Sequence, residues 1–149
     1  MYTLVLALHS WLRWAALIAG VVAIFTLLSS RDTSGRADFW GLVLTIVLDV
    51  QFLLGVLLYG VLSPFTAEAM RDFGAAMRSP GLRFFAVEHV TLMLAALVLV
   101  HVGRILARKA ATVDAKRMRL LICFGLATLL MVLAIPWPGM AAGRPLFRL

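Results

Sequence analysis

Four apolar runs dominate the chain: Tyr2 to about Ser29, Phe39 to about Leu62, Leu82 to about Ile105 and Leu120 to about Ile135. About 20 apolar residues let a helix cross a bilayer, and only helices or closed barrels satisfy their backbone groups there. Composition agrees. Of the 149 residues, 63% are hydrophobic and 14% charged, with a mean hydropathy of +1.01, where ordinary globular chains carry about 25% charge. The expected fold is an all-α membrane protein, a single domain over residues 1–149. Its four transmembrane helices form an up-down bundle, with a short interfacial helix between spans two and three.

Polar residues gather in the connections. Arg31-Asp32-Thr33-Ser34-Gly35-Arg36 predicts a short turn. Ser63-Pro64 ends the second run, because proline cannot continue the backbone ladder. Residues 65–82 are too polar to span. Thr66 is placed to cap a short helix with Met70, Phe73 and Met77 on one face and Arg71, Asp72 and Arg78 on the other, a pattern that suits the membrane surface. Pro136-Trp137-Pro138-Gly139 stops the fourth run, and a Gly- and Pro-containing tail follows, whose ordering would call for a partner to hold it.

The net charge of +7 does not point to nucleic acid. The cations lie mostly in short connections, where topology signals and lipid-headgroup contacts belong. Arg31, Arg36, Arg104, Arg108, Lys109, Lys116, Arg117 and Arg119 fall after spans one and three; Arg71, Arg78, Arg83, Arg144 and Arg148 fall on the other side. By the positive-inside rule the first group faces the cytoplasm, which puts both termini on the outer side of the membrane. The first run lacks a basic n-region and a cleavage site, so it reads as a span. Cys123 stands alone in an apolar run and reads as a small buried side chain, with no disulfide or cysteine metal site.

Two polar clusters interrupt the apolar runs: His9-Ser10-Trp11-Leu12-Arg13 in the first and Val87-Glu88-His89 in the third. Ionisable groups in hydrocarbon are expensive and mark functional positions. Spans one and three run in the same direction, so His9 and His89 lie at matching depth, about 10 Å in at 1.5 Å per residue. Arg13 is one turn deeper on nearly the His9 face, with Gly20 and Ala16 on that face leaving room for a flat ring. Asp49 and Gln51 in span two reach a similar depth. Three readings follow. Two histidines on separate helices can give iron its axial nitrogens, making His9 and His89 ligands of heme b, with Arg13 on a propionate or on Glu88. Alternatively the cluster forms a quinone or porphyrin pocket with Glu88 as a proton relay. Or Arg13, Asp49 and Glu88 form a structural ion network with no cofactor. His101 reads as an interfacial residue. No motif for hydrolysis, phosphoryl transfer or dinucleotide binding is present.

The segments His9-Ser-Trp-Leu-Arg-Trp14, Gln51-Phe-Leu-Leu-Gly-Val-Leu-Leu-Tyr59, Arg83-Phe-Phe-Ala-Val-Glu-His89 and Ile135-Pro-Trp-Pro138 resemble a family of small four-helix bacterial membrane proteins loosely labelled cytochrome-b-like, most without an assigned activity. The resemblance spans nearly the whole chain. It implies that His9, Arg13, Gln51, Glu88 and His89 are the characteristic polar positions. One expectation is a small electron-transfer subunit; a separate one, which an ordered tail would favour, is a non-catalytic accessory subunit of a larger respiratory or photosynthetic complex. Asp49 occupies the polar slot of the second helix, so no histidine ligand comes from there. A looser similarity, in topology and Leu8-His9 alone, is to membrane-bound heme-containing protoporphyrinogen oxidases.

Overall fold

Nine helical segments account for the regular structure of the described residues, 1–29 and 35–147, in the computed structural model. The predicted turn at residues 31–34 and Arg148 lie outside them. In chain order they are α1 (Tyr2–Ser29), α2 (Arg36–Leu57), α3 (Pro64–Arg71), α4 (Phe73–Arg78), α5 (Pro80–Arg83), α6 (His89–Arg108) and α7 (Val113–Leu133), with two wide turns. Those wide turns, Leu58–Leu62 after α2 and Phe84–Glu88 before α6, use i→i+5 hydrogen bonds such as Ser63 N–H to the Leu58 carbonyl. No strand occurs among the described residues. Counted through the wide turns, Tyr2–Ser29, Arg36–Leu62 and Pro80–Arg108 are long and apolar enough to cross a membrane.

The packing inverts that of a water-soluble bundle. Small side chains fill the interior, among them Ala16, Ala19, Ala23, Ala96, Ala107 and Ala127, while Leu4, Ile18, Phe25, Ile46, Leu53 and Val98 face outward. Where lipid is as apolar as leucine, close backbone approach drives association, and small residues allow it. Phe124, fully buried, wedges between α2 and α6: a Cβ on Gly41 would lie 3.0 Å from its ring, and one on Gly103 only 2.6 Å from Cys123 Cβ. Gly20 is likewise filled, since a Cβ there would meet Thr128 Oγ1 at 2.5 Å. The room expected beside His9 at Gly20 is therefore taken by α7; Ala16 does border the cavity described below.

Cations tie one end of the four long helices together. Arg117 donates from Nε to the Leu27 carbonyl (2.5 Å) and from Nη2 to that of Leu28 (3.1 Å), taking acceptors that the C-terminus of α1 leaves orphaned. Arg119 donates from Nη1 to the Leu106 carbonyl of α6 at 2.6 Å, which also accepts from the Lys109 N–H. Lys116 Nζ lies 3.1 Å from Asp38 Oδ2 in the first turn of α2. The ends of α1 and α6 thus meet the starts of α2 and α7, so successive long helices run antiparallel.

The region after α2 departs from expectation. Ser63, not Thr66, caps α3, because Pro64 takes the first helical position and shifts the cap one residue before it. Thr66 is buried and donates to the Tyr59 carbonyl at 2.8 Å. Asp72 then breaks the helix and caps α4 by accepting from Ala75 N–H at 2.8 Å. Two short helices replace one. Their buried residues are Thr66, Ala69 and Ala76 with Met77 alongside, while Met70 and Phe73 point outward.

Candidate functional site

The two wide turns face each other, joined by the Tyr59 hydroxyl donating to the Ala86 carbonyl at 2.9 Å. Such i→i+5 turns widen a helix locally and occur frequently at functional sites. Beside them lies a cavity of about 290 Å³, bordered by His9 and Arg13 of α1, Gln51 and Gly55 of α2, His89 of α6 and Arg144 of the tail.

His9 and His89 meet here, with ring centroids 6.2 Å apart and planes at 65°. His89 Nδ1 is 2.7 Å from the Ala134 carbonyl. A carbonyl only accepts, so Nδ1 carries the hydrogen and Nε2 keeps its lone pair. That carbonyl is available because α7 ends at Leu133, and Pro136 prevents its continuation. Gln51 is 2% exposed, and its amide nitrogen lies 3.3 Å from His9 Nε2. His9 Nδ1 and Gln51 Oε1 are buried with no hydrogen-bond partner. Leaving such atoms unsatisfied costs about 1–3 kcal/mol each. Gly55 admits the imidazole, since a Cβ there would sit 3.4 Å from His9 Cε1.

The tail closes over this end. Arg13 Nη2 and Trp14 Nε1 both donate to the Leu146 carbonyl, at 2.6 and 3.1 Å, and Phe147 stacks on Trp14 at 5.4 Å. Arg144 lies 4.5 Å over the Phe65 ring and 5.1 Å over Phe85. The chain's own side chains thus hold the described part of the tail against the bundle. Two guanidiniums and two imidazoles border the cavity; no carboxylate does among the described residues.

Of the expected site residues, His9, Arg13, Gln51 and His89 come together and Glu88 does not. One residue before His89, it points about 100° away around the helix and pairs with Arg83 at 2.7 Å on the outer surface. Asp49, two residues from Gln51, likewise faces outward, 2.8 Å from His101. The Arg13–Asp49–Glu88 network is not formed among the described residues, and Glu88 is not placed to relay protons into the cavity. Tyr59, Gly55, Arg144 and the Ala134 carbonyl belong to the site but were not read from the sequence. Only Tyr59 carried a signal, and it was one equally suited to a membrane-interface aromatic. No group of three or more His, Cys, Asp or Glu able to hold a metal occurs among the described residues. Two imidazoles are too few for a bare ion, which takes three or four protein ligands. No protein-family model, curated protein or solved structure matches the chain.

Proposed function

We propose that this is a cytochrome-b-like protein of the bacterial inner membrane, with α7 as a fourth span and heme b held between His9 and His89. The imidazole pair carries the reading. Two nitrogens bound to one metal stand about 4 Å apart, which would place the ring centroids ~6 Å apart; the observed centroids are 6.2 Å apart, and the Gln51 amide, 3.3 Å from His9 Nε2, would have to leave that nitrogen for it to meet iron. The tautomer of His89 supports it further, because metal-binding histidines generally donate their other N–H to a carbonyl or carboxylate. A porphyrin brings four nitrogens of its own, which removes the objection to a two-residue ligand set. Arg13 and Arg144 border the cavity, and the guanidinium fork suits the propionates of a heme. At about 290 Å³ the cavity falls just below the usual range for ligand pockets, and a macrocycle would need the flexible Met93 and Met131 side chains in its wall to turn aside.

When bound, heme supplies one-electron redox chemistry; the chain positions it, tunes it through the Ala134–His89 bond and shields it from water. The protein then works as a small electron-transfer subunit beside a larger membrane complex. Its Lys/Arg-rich end is cytoplasmic and its termini are periplasmic. Absorption spectroscopy tests the site. Protein purified from native membranes, or reconstituted with hemin, is expected to show a Soret band and sharpened visible bands on dithionite reduction. His9→Ala and His89→Ala are expected to remove or strongly alter them, and His101→Ala to leave them unchanged. Wild-type protein that stays colourless after hemin addition would overturn the heme reading and favour a cofactor-free accessory subunit.

A further inference from the structure

A second cavity, of about 390 Å³, lies between α2, α6 and α7 at the opposite end of the molecule. Its charged borders are Arg104, Arg108, Lys116 and Asp38. The cations at this end differ in their partners. Arg117 and Arg119 cap helix ends, and Lys116 is paired with Asp38. Arg104 and Arg108 have no hydrogen bond or ion pair among the described residues, yet both border the one crevice. Arg108 gains a little from the C-terminus of α6; Arg104, a full turn earlier, does not. Room for the Arg104 guanidinium comes from Gly41, where a Cβ would stand 3.4 Å from Nη1.

Long cations near helix ends ordinarily fan outward to the headgroup layer. Here Arg104 and Arg108 border one space large enough for a small polar group. We infer that Arg104 and Arg108 form a binding site for a phosphate group, the phosphodiester of an anionic membrane lipid being the occupant its position favours. The guanidinium fork matches phosphate oxygens two at a time, and basic pockets between spans take acidic headgroups. The apolar walls, Phe39, Leu42, Leu120 and Phe124, suit the glycerol and upper acyl portion. This inference rests on the chain lying in a membrane and is independent of heme.

The test is native mass spectrometry of full-length protein released from nanodiscs of phosphatidylethanolamine with about one-fifth phosphatidylglycerol. Wild type is expected to retain phosphatidylglycerol in preference. Arg104→Gln/Arg108→Gln is expected to lower that retention about thirtyfold, taking roughly 1 kcal/mol per cation near the surface. Arg71→Gln/Arg78→Gln, at the other end of the molecule, removes the same charge and should change nothing. A second arm adds inorganic phosphate in detergent and reads the unfolding temperature. Stabilisation there that depends on Arg104 and Arg108, without lipid retention, would keep the phosphate site but assign it to a soluble anion. Equal retention and equal stabilisation in wild type and the double Gln variant would overturn the site. Should that variant fail to fold, Arg104→Lys keeps the charge, loses the fork and is expected to weaken retention; unchanged retention would again count against the site.

Discussion

His89 makes two demands on its surroundings that can be separated experimentally. Its Nδ1–H satisfies the Ala134 carbonyl, a structural role, while its Nε2 is the atom proposed to meet iron. Removing the ring leaves that terminal carbonyl without its donor, a loss of about 1–3 kcal/mol. His89→Ala is therefore expected to lower stability by that amount as well as to lose heme. His89→Asn carries an amide N–H able to serve the same carbonyl but no ring nitrogen. It should fold nearly as stably as wild type and still fail to give the hemin spectrum. Thermal unfolding in detergent beside the absorption spectrum decides the matter; a His89→Asn protein that binds hemin normally would refute the ligand assignment. At this scale the sequence was a fair guide. Helical offsets were enough to bring His9, Gln51 and His89 to one depth. They were not enough for Glu88 and Asp49, because a shift of one or two residues turns a side chain 100° or 200° around the helix, and depth alone says nothing of facing.

At the scale of elements, three glycines set how closely the helices approach. A methyl on Gly103 would overlap Cys123, on the neighbouring helix. Gly103→Ala is expected to cost about 1–3 kcal/mol through forced separation of α6 and α7. Gly60→Ala, where nothing lies within 4 Å, should be near neutral. Unfolding midpoints in detergent read the contrast, and equal losses would contradict the packing described. The long helices were legible from hydropathy alone. The wide turns were not, since an i→i+5 turn leaves no apolar period to read and depends on tertiary partners such as Tyr59 and Ala86. The split of the surface helix at Asp72 was hidden for a related reason. Asp72 was counted as part of a polar face, whereas its carboxylate starts a new helix by capping Ala75.

Over the whole molecule, the opposed ends divide the work: a cavity with its docked tail at one, a cluster of cations at the other. The proposed orientation puts a reporter fused after Leu149 in the periplasm, and a cytoplasmic signal there would reverse it. The ties made by Arg117 and Arg119 have a consequence for how such a chain is made. Orientation is decided while each hairpin is still being inserted, when its cations are bare and free to be counted. Once the hairpins meet, the Arg117 guanidinium binds the Leu27 and Leu28 carbonyls of α1, while Arg119 holds Leu106 within its own hairpin. Assembly thus acts as a ratchet on insertion: for the α6–α7 hairpin to invert later, it would first have to strip Arg117 off α1.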